Sequence, residues 1–222
     1  YAVRRADAGC CQRPRISGGL LGAAKRDGRE TMRSLLPIVT AGIPVVVCEP
    51  SCASALRDDL PDLIEDEFPL DWFRQIVPLE EFLAAREERV RDTLTAPAGV
   101  ESVRIHGHCH QKALWPGSAI ETAVRALGVD DVGTFDTGCC GMAGSFGYEA
   151  KHFAVSQTIA EDRLYPAIRA MSPDTHLLAN GFSCRHQIAD GTGGDARHLA
   201  SFLRPRERSA GNARAGHGEA GR

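Results

Sequence analysis

Cysteine is the residue type in this chain best placed to do chemistry. There are eight: Cys10, Cys11, Cys48, Cys52, Cys109, Cys139, Cys140 and Cys184. Four of them form two adjacent pairs, Cys10-Cys11 and Cys139-Cys140, and each pair is followed at a distance by Ser-Cys, at Cys52 and at Cys184. Neighbouring Cβ vectors diverge, so two adjacent thiolates suit two irons of one cluster better than a single ion. A disulfide between neighbours would close a strained ring. Thiolates are the usual ligands of iron–sulfur clusters, and a cluster gathers them from several loops. A disulfide framework would need an oxidising compartment. The opening residues YAVRRADAGCC lack the apolar stretch of a secretory signal, so a cytoplasmic, reducing setting is expected.

The spacing repeats. Residues 10–52 and 139–184 each open on paired cysteines and a Gly-containing loop, run through a helical stretch with Ala-Lys near its start, and close on a short apolar strand and Ser-Cys. The second cysteine of the pair lies 41 residues before the Ser-Cys cysteine in the first copy and 44 in the second. The second copy also has Cys109, 30 residues ahead of Cys139, in HGHCHQKAL. Its counterpart in the first copy would fall about 20 residues before Tyr1, so the first half-domain is expected to be truncated at its N-terminus.

The elements that must position these thiols follow from composition and periodicity. Of the 222 residues, 43% are apolar and 25% charged, the balance of a globular protein rather than a collagen, rod or disordered chain. A net charge of −3 excludes the basic stripe of a nucleic-acid binder. No apolar run reaches the ~18 residues of a membrane span. Helical periodicity predicts helices near 19–40, 51–66, 78–95, 111–127, 149–171 and 195–203. Strands are predicted near 43–48, 102–107, 132–136 and 175–179, with Gly42 and Gly128 as helix stops. The fold class is therefore α/β, two repeated half-domains with mostly parallel strands. The expected boundaries are 1–66 for the first half, 67–100 for a linker with helix, 101–203 for the second half and 204–222 for a disordered tail. Cys109, Cys139, Cys140 and Cys184 each follow a predicted strand, so all four should meet at the carboxyl edge of a parallel sheet, where ligands bind.

These motifs resemble a family. C…CCG…SC with HGHCH is similar to the cysteine-rich CCG domain of heterodisulfide reductases and of glycolate oxidase iron–sulfur proteins. EPSCASALRDDLPDL, HGHCHQKAL and DTGCCGMAGSFGYE resemble the C-terminal part of fused FAD-linked oxidase/iron–sulfur oxidoreductases, over about residues 8–203. The resemblance implies a [4Fe–4S]-type cluster, or zinc in some halves. It implies Cys109, Cys139, Cys140 and Cys184 as second-half ligands and Cys10, Cys11 and Cys52 as first-half remnants. It also implies an electron-transfer role beside a flavin-containing dehydrogenase domain or partner and a ferredoxin-like iron–sulfur domain, with a quinone as acceptor. FAD would sit in a missing part or a partner, and the chain would be cytoplasmic or peripheral at the inner membrane through its partners. No complete catalytic site is expected in the chain itself.

The departures from the family pattern are specific. Gly181 stands where the first cysteine of a CxxC would be, Glu49 stands at the equivalent place before Cys52, and Gln12 replaces the Gly after the first pair. Cys48 is an off-pattern candidate for a fourth thiolate in the first half. His106, His108 and His110 alternate around Cys109, and on a strand would share one face. His108 and His110 are expected to orient or tune a cluster, and one histidine could serve as a fourth ligand. Lys112 reads as a solvated cation. A structural zinc module and a metal-free fragment remain alternatives to the cluster.

Overall fold

The computed structural model describes residues 2–64, 67–115 and 118–207. It is an α/β structure with parallel sheets. The first part runs α1 (Arg13–Ser17), α2 (Leu21–Val39), β1 (Val45–Val47) and α3 (Pro50–Ser54), which continues through a π-helical turn (Ala55–Asp59) into α4 (Leu60–Ile64). Then come α5 (Leu70–Phe73), β2 (Ile76–Pro78), α6 (Leu79–Ala84), α7 (Glu87–Thr93) and β3 (Leu94–Thr95). The second part runs β4 (Ser102–Ile105), α8 (Cys109–Leu114), α9 (Ala119–Ala126), β5 (Asp131–Thr134), a 3-10 turn (Phe146–Tyr148), α10 (Phe153–Arg169) and β6 (Thr175–Leu178). It closes with α11 (Phe182–Thr192), β7 (Ala196–Arg197), α12 (Leu199–Phe202) and β8 (Arg204–Pro205).

The principal sheet has the order β5-β4-β6-β7, all parallel. The chain leaves β4 for β5 and then crosses back to β6 on the other side of β4. The carboxyl edge beside β4 is therefore a topological switch point, where side chains from several loops can meet. A second, two-stranded sheet pairs β1 with β2 in parallel.

Helix α2 shows why these residues take this form. Ala24, Gly28, Thr31, Met32, Leu35 and Val39 are its buried residues and recur at helical intervals. Gly28 lets α2 and α4 approach closely, since a Cβ there would meet Leu60 Cδ1 on α4 and the leucine side chain would have to shift. Met32, Leu35, Leu60, Ile64, Phe73 and Ile76 close the core of the first part. Truncating a buried leucine such as Leu60 to alanine costs about 2–5 kcal/mol. In the second part, Ile120, Ala123 and Val124 of α9 pack with Val103, Ile105 and Leu178 of the sheet. Gly42 and Gly128 end their helices at φ 67° and 93°, the left-handed region open to glycine.

Several expected elements differ. The helix expected over 111–127 is two helices, because Trp115, the residue before a proline, leaves helical dihedrals (φ −131°, ψ 65°). The helix expected from 149 starts at Phe153, the preceding residues being spent on turns. Helix α11 is absent from the periodicity reading. Its sequence FSCRHQIADGT is polar and carries Gly191, which hides its period. Strand β2 ends on Pro78 and is short, as edge strands are. Within the expected tail, Arg204–Pro205 pairs antiparallel with Leu94–Thr95; residues 208–222 lie outside the described residues.

Candidate metal centre

Each second-half cysteine sits just past the carboxyl end of a strand. Cys109 opens α8 after β4, Cys139 and Cys140 lie in the loop after β5, and Cys184 is in the first turn of α11 after β6. Cys140 and Cys184 are buried, and Cys109 and Cys139 are partly buried. The thiol of Cys139 interacts with those of Cys109 and Cys140, and Cys140 with that of Cys184. All four cysteines thus lie at one end of the sheet, and the Cys140 and Cys184 sulfurs lie within 4.8 Å of each other.

The geometry adds a histidine. The donor atoms of His106, Cys140 and Cys184 all lie within 4.8 Å of one another, and all three residues are buried. His106 follows β4 directly and its N–H donates to Leu178 O at 2.8 Å, so the sheet fixes its backbone. The three histidines do not share a strand face. His106 reaches the thiols, and its Nδ1 lies 3.0 Å from Thr137 Oγ1. His108 caps α8, its Nδ1 accepting from the His110 N–H at 3.2 Å. His110 turns to the first half, with Nδ1 2.6 Å from Ser54 Oγ. The sequence pattern names all three but cannot separate them, because the alternation holds only on an extended strand and β4 ends at Ile105.

Local backbone explains the pair. Gly141 has φ 89°, and a Cβ there would overlap Ser156 O, so only glycine fits this turn. Its N–H donates to Cys139 Sγ at 3.3 Å. Lys112 is exposed, as expected of a solvated cation, and its ammonium also donates to the carbonyls of Thr137 and Gly138, the latter at 3.0 Å, which straps the loop that presents the pair.

The thiols alternate in acidity. Hydrogen bonding from the Cys109 and Cys140 thiols, aided by the Gly141 N–H, holds Cys139 well below the ordinary thiol range. Cys184 is lowered by the Cys140 thiol and by His106, against its burial. Cys109 is pushed up by its bond to Cys139 and by burial, and Cys140 by its bonds to Cys139 and Cys184 and by burial. A metal ion bound here would displace the thiol protons. Four sulfur donors with a buried imidazole form a soft set suited to iron–sulfur or zinc.

The first half repeats the turn without the full set. Cys10, Cys11 and Cys52 come together, with Cys11 Sγ and Cys52 Sγ 3.0 Å apart. The Gln12 N–H reaches Cys10 Sγ at 3.4 Å, as Gly141 does for Cys139. Gln12 takes φ 69°, the strained conformation that glycine adopts freely in the other copy. The Cys52 thiol, with help from the Arg13 backbone, lowers Cys11 to about 6 against its burial. Cys48 lies on the surface past β1, its carbonyl accepting from His198 Nε2 at 2.8 Å.

An acid that sequence reasoning missed lies between the halves. Glu80 of α6 is buried, and its two oxygens accept from Gln111 Nε2 at 2.7 Å and Asn180 Nδ2 at 3.0 Å. It ties the segment between the halves to α8 and to the loop before α11. Burial pushes its carboxyl up to about 7. A surface cleft of about 570 Å³, lined by residues including Glu101, Arg104, Asp131 and Asp174, sits around the amino ends of β4–β6, at the far end of the sheet from the cysteines.

No family model matches the chain. It is 29% identical over 188 residues to D-2-hydroxyglutarate dehydrogenase of Pseudomonas putida, covering 81% of this chain and 17% of that protein. It is 28% identical over 186 residues to the Escherichia coli enzyme of the same name, covering 83% of this chain and 18% of that protein. It is also 25% identical over 196 residues to one of the subunits of the anaerobic glycerol-3-phosphate dehydrogenase of Escherichia coli, covering 87% of this chain and 48% of that protein. The chain thus spans under a fifth of the first two relatives and about half of the third. These relatives are dehydrogenases, or part of one, of hydroxy-acid and glycerol-3-phosphate type. Among the described residues no helix is long and apolar enough to cross a membrane.

Proposed function

We propose that this chain is the electron-transfer module of an oxidoreductase system acting on a 2-hydroxy acid, with a [4Fe–4S]-type cluster held by Cys109, Cys139, Cys140 and Cys184. The observation that carries this reading is the placing of all four cysteines just past the carboxyl ends of β4, β5 and β6, with Cys140 and Cys184 in one buried group. A bound cluster supplies one-electron transfer. The chain's own residues do the rest. Gly141 and Lys112 fix the loop of the pair, helices α8 and α11 aim Cys109 and Cys184, and the buried surroundings of Cys140 and Cys184 exclude water. Hydride removal from the substrate would belong to a flavin-containing domain or partner, with a ferredoxin-like iron–sulfur domain and a quinone as further carriers. The module would be cytoplasmic, or peripheral at the inner membrane through those partners.

A structural zinc site is the second reading, favoured by the compact buried group of His106, Cys140 and Cys184. Iron, sulfide and zinc analysis after anaerobic reconstitution separates the two. The cluster reading expects about four irons and four sulfides per chain, lost in Cys140→Ser. One zinc without sulfide overturns it in favour of the structural site.

A further inference from the structure

We propose that His106 supplies a nitrogen ligand, through Nε2, to the metal held by the second-half cysteines; this rests on the reading above that the site is metallated.

His106 is the histidine whose donor atom lies within 4.8 Å of both Cys140 Sγ and Cys184 Sγ. Its position is built rather than incidental, since the ring is buried and its backbone N–H is bonded to Leu178 O as an extension of the sheet. The second ring nitrogen is accounted for. Nδ1 lies 3.0 Å from Thr137 Oγ1, which leaves Nε2 for the thiols. A neutral imidazole that binds metal through Nε2 carries its proton on Nδ1, and the Thr137 hydroxyl, which can accept as well as donate, is placed to take that proton. This is the outer-shell arrangement of metal-bound histidines.

His108, the neighbour that the sequence pattern favours for tuning, has the opposite chemistry. Its Nδ1 accepts from the His110 backbone N–H, a group that can only donate. The proton of the neutral His108 ring is therefore on Nε2, which makes that atom a donor and not a ligand. Its ring also fills the space of the missing CxxC cysteine. A Cβ on Gly181 would clash with His108 Cδ2 and meet Cys184 Sγ at 3.1 Å. The His108 ring thus stands where a thiolate would be, and the nitrogen ligand comes from the end of β4 instead. A neutral imidazole in place of a thiolate lowers the negative charge on the centre and raises its reduction potential, as histidine ligation does in Rieske centres.

The test uses the whole chain, reconstituted with iron and sulfide and labelled with ¹⁵N-histidine. Pulsed EPR of the paramagnetic state should show a directly coordinated nitrogen that changes with the label. The signal should vanish in His106→Cys, with the potential moving lower, persist in His108→Gln and weaken in Thr137→Val. If the metal is zinc, X-ray absorption should show one Zn–N bond among the Zn–S bonds, lost in His106→Cys. Full metal loading with no coordinated histidine nitrogen in the unmodified chain overturns the assignment while leaving the metal site standing. A nitrogen signal that survives in His106→Cys also overturns it. Absence of any bound metal in the unmodified chain overturns both. If His106→Cys fails to fold, the labelled unmodified chain and Thr137→Val still decide.

Discussion

The Glu49 carboxylate accepts a hydrogen bond from the backbone N–H of Phe182 at 2.9 Å, across 133 residues of chain. Its other oxygen accepts from Ser51 Oγ at 2.7 Å. One carboxylate therefore caps both the helix that carries Cys52 and the helix that carries Cys184, at the very place where the family pattern would put a cysteine. Glu49→Ala removes an ionised acceptor from both helix starts, which costs about 1–3 kcal/mol. The expected result is a lower unfolding midpoint together with faster metal loss from the second-half site, partly restored in Glu49→Gln. Unchanged metal retention in Glu49→Ala would show that the cap does not position Cys184.

Glu80 makes stability depend on pH in a defined direction. Its folded-state carboxyl is raised to about 7 from the ordinary 4.5, so between those values the folded chain holds a proton that the unfolded chain has released. The stabilisation is present in full below about 4.5 and is lost as pH rises through 7, by an amount on the order of a few kcal/mol. Urea unfolding at pH 5 to 8 should show a fall that is absent in Glu80→Gln. Gln111 can turn its amide to suit the new side chain, whereas Asn180 is pinned by Leu199 N–H on its Oδ1 at 3.0 Å. Parallel slopes in the two proteins would contradict this.

Gly141→Ala drives a Cβ into Ser156 O at a φ of 89°. The turn must open, and the Gly141 N–H then leaves Cys139 Sγ. A destabilisation of about 1–3 kcal/mol from the backbone alone is expected, with loss of the metal. Thermal unfolding and metal content read both, and a variant that keeps full metal would contradict the close packing of this loop.

Metal binding and folding should be linked. A ligand that binds the folded chain and not the unfolded one raises stability by mass action. The loaded chain should melt well above the stripped chain. Equal midpoints would mean that the thiols do not share a metal.

Much of the fold is legible in residue spacing, for physical reasons. Paired cysteines with a distant Ser-Cys mark loops after strands, and parallel strands bring such loops to one edge. What is not legible depends on three-dimensional partners. Helix α11 has no clean apolar stripe because Cys184, Gln187 and Ile188 face a core partly made of polar side chains. Glu80 reads as one acid among several on a charged segment, and its burial becomes visible once Gln111 and Asn180 are seen to converge on it. His106, His108 and His110 are equivalent by spacing and divide in the structure by which groups their rings meet.

The proposed function rests on a redox centre held by the second-half cysteines. Its most direct test is an EPR-monitored redox titration of the anaerobically reconstituted chain, with Cys140→Ser alongside. A reversible one-electron transition, within the range of roughly −700 to +450 mV open to iron–sulfur clusters, is expected and should be absent from the variant. A chain that binds its metal fully yet shows no such transition, or a transition that Cys140→Ser leaves untouched, would contradict it.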